Sequence, residues 1–225
     1  MRRYAVAATR ARFTPYTLSE SEIMKIQAKL LMLAASAVLF GSQAFAQTPA
    51  PVRIRGEIVS VDATSMTVHR RSGDTVKIAI KPDQAVGALK SMKLADIKQG
   101  SFIGTASKRG PDGKQVAVEV LVFPESARGT GEGNYAWDLL PGSMMTNANV
   151  DTVMQGVNGR DLKLSYKGGT NEVTVPENVP VVTPVPASRA DLIPGKKVFV
   201  VATGDAANLS AARIFVEKDG VAPPM

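Results

Sequence analysis

The sequence predicts an all-β protein made of two tandem, small, five-stranded OB-like β-barrels that follow an N-terminal signal helix. Three observations predict this class. Short segments alternate apolar and polar residues with a period of two. The turns between them are rich in Gly, Pro and Asp. A pattern of strands and turns also returns after about 95 residues, which indicates an internal duplication.

The first 46 residues are typical of a leader and not of a folded domain. A short basic segment precedes the apolar run 30–40, and small residues at the spacing of a cleavage site end at Ala46. This order predicts a signal peptide over 24–46 and a periplasmic or secreted protein. The apolar run is shorter than the roughly 20 residues of a membrane helix, so we expect no transmembrane span after cleavage. Residues 1–23 are then a mis-started extension.

The first barrel module is expected over 47–125. Its third strand shows the clearest alternation, with Val76, Ile78 and Ile80 facing inward. A short helical turn at 94–97 separates the third strand from the fourth. The five predicted strands are 53–61, 66–71, 75–81, 101–107 and 115–123.

The second barrel module is expected over 149–219, followed by a tail at 220–225. Residues 95–100 match residues 190–195, and a strand rich in β-branched residues follows in both places. The matching order of strands, prolines and Asp-x-x-x-Gly segments predicts two copies of one five-stranded unit of the OB type, a plan that other small barrels share.

Two segments of the first module resemble a family of secreted bacterial modules of unknown function. They are the Gly-x-Ile-x-x-Val strand at 56–61 and the segment 97–103, in which Gly100 precedes the fourth strand. The resemblance covers about 70 residues of the first copy and, more weakly, the second. It implies a small β-barrel and export. It carries no catalytic residues, and therefore implies no reaction.

Few residues are suited to catalysis or to metal binding. The chain has no Cys and a single His, His69, which lies on the polar side of its predicted strand. A thiolate site and a second catalytic His are therefore excluded. The glycine-rich segment 129–133 lacks the Lys-Ser/Thr of a phosphate loop, and the Met144-Met145 pair favours packing over copper binding. We expect no enzyme activity, no cofactor and no metal.

The net charge of +7 is unevenly distributed. Residues 52–124 hold 12 basic and 7 acidic side chains, and strand alternation places most of the basic ones on the outer face. This face has no aromatic residue for base stacking, so nucleic acid is not the expected partner. Lipid head groups, lipopolysaccharide or acidic glycans are the expected anions, and a merely solvated face is the alternative. The candidate anion-binding residues are Arg53, Arg55, His69, Arg71, Lys77 and Lys81.

The connector over 126–148 is unusually apolar and contains the only Trp of the chain. A plain linker consists of Gly, Ser or Pro, so this segment is expected to dock, either between the barrels or on a partner. Docking within the chain is the favoured alternative. The candidate docking residues are Tyr135, Trp137, Leu139, Leu140, Met144 and Met145.

Together these features predict an exported, non-enzymatic two-barrel protein that binds an unknown ligand or supports the cell envelope. The partner would be an unknown envelope component, with anionic components among the candidates. The alternatives are an anion-binding module that uses the basic face, or a soluble accessory component of an envelope transport system. A hydrolase or metal-handling enzyme is the least favoured class.

Overall fold

The computed structural model describes residues 50–156, 159–205 and 207–225. These residues form thirteen strands and three short 3₁₀ turns, without an α-helix. The predicted all-β class is confirmed. The predicted signal peptide over 24–46 and the extension over 1–23 lie outside the described residues.

Six strands come from the first half of the described chain, and a 3₁₀ turn at Leu94–Asp96 lies between the fourth and the fifth. The strands are β1 (Val52–Val61), β2 (Ser65–Arg70), β3 (Thr75–Ala79), β4 (Val86–Ser91), β5 (Phe102–Arg109) and β6 (Gln115–Val122). The short strand β4 was not predicted.

The second half begins with a second 3₁₀ turn at Glu125–Ala127 and strand β7 (Gly133–Trp137). Six further strands follow, and a third 3₁₀ turn, Arg189–Asp191, lies between the fourth and the fifth of them. These strands are β8 (Ser143–Gly156), β9 (Gly159–Tyr166), β10 (Gly169–Pro176), β11 (Val181–Ala187), β12 (Lys197–Thr203) and β13 (Leu209–Val216).

Strand pairing closes two five-stranded rings. Ring A runs β1-β2-β3-β13-β12 and returns to β1. Ring B runs β8-β9-β10-β6-β5 and returns to β8. Each ring therefore combines three strands from one half of the chain with two from the other. This differs from the predicted tandem plan, in which 47–125 and 149–219 each close a barrel alone.

The exchange occurs because β4 and β11 are extended strands instead of tight turns. At roughly 3.3 Å per residue, a six-residue strand such as β4 moves the chain by about 20 Å. β4 begins next to ring A, where it pairs with β13, and β11 begins next to ring B, where it pairs with β6. The two crossing strands pair with each other in antiparallel register from Val86–Ala187 to Ser91–Val182.

Three apolar clusters correspond to this arrangement. One contains inward side chains of ring A, including Ile54, Val68 and Ile214. A second contains those of ring B, including Ile103 and Leu162. The third, called here the inter-ring cluster, draws on the crossing strands, on β12 and on the last residue. It comprises Leu89, Val182, Phe199 and Met225, with Leu121, Trp137, Val201, Phe215 and Val221 packed against them.

Candidate binding site between the rings

A β-bulge in β6 turns Glu119 away from the core of ring B. Ala106 pairs with Glu119 and Ser107 pairs with Ala117, which leaves Val118 without a partner. After the bulge, Val120 faces the core of ring B. Glu119 and its second neighbour along the strand, Leu121, consequently face the opposite side, where they line a cavity.

This cavity, called here the inter-ring cavity, has a volume of about 420 Å³ and lies between the outer faces of the two rings. Among the apolar wall residues, ring B contributes Leu121 and Met145, and ring A contributes Phe199, Val201 and Phe215. A mostly apolar concavity of this size with a few polar groups is the usual form of a small-molecule site.

Glu119 is the acidic group of the cavity and is only 3% exposed. It forms no ion pair among the described residues, and its Oε2 atom is buried without a hydrogen-bond partner. Burial raises the pKa of Glu119 to about 7, against the opposing effect of the positive charges of Arg55 and Arg71. This carboxyl group therefore exchanges a proton near neutral pH.

Asn147 contributes an unpartnered acceptor to the same wall. Its Nδ2 atom donates to the Thr130 carbonyl oxygen at 3.0 Å and to the Tyr135 hydroxyl at 3.3 Å, which orients the amide. The Oδ1 atom is buried without a partner. It lies over Gly104, where a Cβ atom would be only 2.5 Å away. Glycine at position 104 therefore preserves the space around this acceptor.

Trp137 closes the cavity from the β7–β8 hairpin. Its indole packs against the inter-ring cluster and lines the cavity, while Nε1 is buried without a partner. The turn behind it is held by Ser143, whose Oγ atom donates to the carbonyl oxygens of Trp137 and Leu140 at 2.9 and 2.8 Å. The Arg53 guanidinium stacks 4.0 Å from the indole centroid.

The predicted docking residues divide between the two faces of this hairpin. Tyr135, Trp137 and Met145 line the inter-ring cavity, and Leu139 and Met144 are half-buried. Leu140 is 41% exposed at the turn. The segment 126–148 is also not a simple connector, because it contains β7 and the first residues of β8.

The predicted basic face is partly covered by the same hairpin. Arg55 pairs with Asp138 at 2.9 Å and its side chain is only 9% exposed, while Arg53 lies 3.9 Å from the same carboxylate. Both therefore differ from the expectation of freely outward side chains, since the residues that cover them lie far away in sequence. The remaining candidates, His69, Arg71, Lys77 and Lys81, are exposed.

The structure brings some of these basic residues together. Arg53, Arg55, Arg70 and Arg71 line a cavity of about 220 Å³ beside Asp138. His69 lines a neighbouring cavity of about 470 Å³ together with Arg55 and Arg71. Neither cavity lining includes Lys77 or Lys81.

Sequence reasoning missed Glu119, Gly104 and Asn147 as candidate site residues. The available signal was a single acid within the apolar run of β6. Alternation places Glu119 on the outer face of that strand, where an acid is expected to be solvated, and only the packing of ring A against this face buries it. In the described part of the chain, no group of three or more His, Cys, Asp or Glu residues is placed to hold a metal ion. No helix among these residues has the length and apolar character needed to cross a membrane.

Comparisons with protein-family models, with curated proteins and with solved structures gave no match. The resemblance to secreted bacterial modules therefore stays a prediction.

Proposed function

We propose that this chain is an exported, non-enzymatic binding protein of the periplasm or the extracellular space, and that the inter-ring cavity is its ligand site. The observation that carries this proposal is an apolar cavity whose wall holds three buried polar atoms without partners. Buried polar groups in proteins are nearly always hydrogen-bonded. Groups left unpaired at the wall of a cavity are suited to orient a bound molecule.

The chemistry of the cavity favours binding over turnover. Glu119 is a lone carboxyl group among mainly aromatic and aliphatic side chains. Glycoside hydrolysis, for comparison, typically uses a pair of carboxyl groups that act together. A single buried acid beside amide and indole groups instead selects a ligand by hydrogen bonding.

Ligand capture tests this function. The chain starting at Gln47 is incubated with envelope extract and analysed by native mass spectrometry. We expect a small molecule to be retained and to shift the emission of Trp137, the only tryptophan. In Gly104→Leu, which fills the space beside Asn147, the retained mass should be lost. Thr170→Leu, an exposed position on β10, is the matched control.

Two results would contradict the function. One is an extract that neither adds mass to the protein nor changes Trp137 emission. The other is capture of a protein with no small molecule, which would support the envelope-support role or the accessory component of a transport system. Circular dichroism of Gly104→Leu distinguishes a filled cavity from an unfolded chain, and the emission of the unmodified chain is informative in either case.

Export has its own test. We propose a signal peptide over 24–46, and N-terminal sequencing of the exported product should begin at Gln47. A soluble cytoplasmic product that retains residues 30–40 would contradict export without affecting the cavity.

A second candidate function is anion binding at the arginine-lined cavity. Arg71 is exposed and forms no ion pair among the described residues, in contrast to Arg55. Retention on heparin or lipopolysaccharide resin should fall as salt rises, because exposed charges are screened beyond about 8 Å at physiological ionic strength. Arg70→Ser combined with Arg71→Ser, both in the lining of this cavity, should abolish retention. Removal of two distant exposed charges, Lys90→Ser with Lys163→Ser, controls for net charge.

We also infer that the two halves descend from a duplicated OB-like unit. The bulge at Val118 has a counterpart at Ala212, which is unpaired between the Val201–Arg213 and Ala202–Ala211 pairs. The 3₁₀ turns at Leu94–Asp96 and Arg189–Asp191 occupy equivalent places in the two halves. Agreement of such irregular features supports duplication more strongly than agreement of regular strands.

A further inference from the structure

The unpartnered atoms of the inter-ring cavity define what a ligand must present. Asn147 Oδ1 is a hydrogen-bond acceptor and Trp137 Nε1 is a donor. Glu119 Oε2 accepts when the carboxyl is ionised, and the group donates when it is protonated. A polar group that both donates and accepts therefore complements Glu119 in either protonation state.

We propose, building on the proposed binding function, that the cavity takes a neutral, mainly apolar alcohol, with its hydrocarbon body among the aromatic side chains and its hydroxyl hydrogen-bonded to the buried carboxyl group of Glu119. A hydroxyl group donates one hydrogen bond and accepts two. An alkane or an ether has no proton to donate and leaves the ionised Glu119 carboxylate without a hydrogen bond.

The charges around the cavity favour a neutral ligand. Arg213 lines the cavity, and the positive charges of Arg55 and Arg71 act on Glu119. A cationic ligand would be attracted by the ionised Glu119 but repelled by these three positive side chains, which outnumber it. An anionic ligand would lie beside Glu119, which is mostly ionised above its pKa of about 7. A hydroxyl complements both protonation states, because it donates to the carboxylate and accepts from the acid.

The apolar wall accounts for the rest of the ligand. Phe199 and Phe215 from ring A face Leu121 and Met145 from ring B across the cavity. A hydrocarbon body buried between them gains affinity in proportion to the apolar area removed from water. A sugar or free polyol would leave most of its hydroxyl groups facing these side chains without partners.

A panel of equal-length probes tests this ligand class on the full chain from Gln47 at about pH 8, above the pKa of Glu119. The probes are 1-decanol, methyl nonyl ether, decanoic acid and decylamine, followed by Trp137 emission and by calorimetry. We expect 1-decanol to bind about tenfold more tightly than the ether, which corresponds to one satisfied hydrogen bond.

A variant pair links this selectivity to Glu119. Glu119→Leu should reduce the affinity for 1-decanol about tenfold and leave the affinity for the ether unchanged. The matched control is Glu172→Leu, an exposed position on β10, which should change neither affinity.

The outcomes separate this inference from the proposed function. Ether, acid or amine binding as tightly as the alcohol would overturn the inference and leave the binding function in place. The inference would also fail if Glu119→Leu weakened the alcohol and the ether equally, because the variant would then have damaged the cavity as a whole. Failure of every probe to bind would overturn both.

Discussion

Replacement of Glu119 by glutamine should remove a large pH dependence of stability. In the folded protein burial raises the pKa of Glu119 from 4.5 to about 7. The folded state therefore binds this proton more tightly than the unfolded chain does, and protonation stabilises the fold. The stabilisation is fully present below about pH 4.5 and is lost as the pH rises through about 7.

The size of the effect follows from the shift. At about 1.4 kcal/mol per pKa unit, Glu119 should lower the free energy of unfolding by about 2.5 kcal/mol between about pH 5 and about pH 8. Such a change is easily measured against the roughly 5–15 kcal/mol that stabilises a typical domain. Asp62 and Asp74 do not interfere, because their pKa values of about 2 lie below this range.

Urea unfolding at several pH values provides the assay. The unmodified protein should lose stability towards pH 8, while Glu119→Gln should show a nearly flat profile because its amide does not ionise. Glu172→Gln, an exposed position on β10, should keep the profile of the unmodified protein. The reasoning is refuted if the unmodified protein is equally stable at both ends of the range, or if Glu119→Gln retains the slope.

Three further predictions address the hairpin, the strand exchange and the β1–β2 turn. Trp137→Ala should lower the free energy of unfolding by about 2 kcal/mol, less than the roughly 3–5 kcal/mol expected for a fully buried Trp. Unfolding should remain a single transition because the rings share strands, and two calorimetric transitions would contradict this. Fragments 50–128 and 129–225 should give no folded monomer separately and should regain a β-sheet circular dichroism spectrum when mixed; a folded monomer of the first fragment would favour the tandem plan. The Ser65 hydroxyl is the main cause that lowers the pKa of Asp62 to about 2, with backbone N–H groups adding to it. The stabilisation from Asp62 is present above its ordinary pKa and lost as the pH falls through about 2. The melting temperature of Asp62→Ala should therefore fall less at low pH than that of the unmodified protein. The same fall in both proteins would show that this turn does not contribute.

The candidate site was only partly accessible from the sequence. Trp137 and Met145 were identified because large apolar side chains in a connector need a surface to pack against. Glu119 was not, because alternation assigns it to the outer face of β6, and the ring A residues that cover this face come from distant strands. Asp138 pairs with Arg55 and lies near Arg53, although these residues are more than 80 positions apart in the chain. A local sequence pattern cannot predict such a contact.

The sequence by itself determined the all-β class and the approximate positions of five strands, β1, β2, β3, β5 and β6, because the period-two alternation in β3 and the Gly, Pro and Asp turns are local properties. It also predicts an internal duplication, which stays a prediction. Only the tertiary structure decided which strands close each ring. Backbone hydrogen bonds are chemically alike in every strand, so alternation specifies the buried face of a strand but not its neighbour. The inter-ring cavity depends on that choice, because its wall combines the outer face of β6 with the outer faces of β12 and β13.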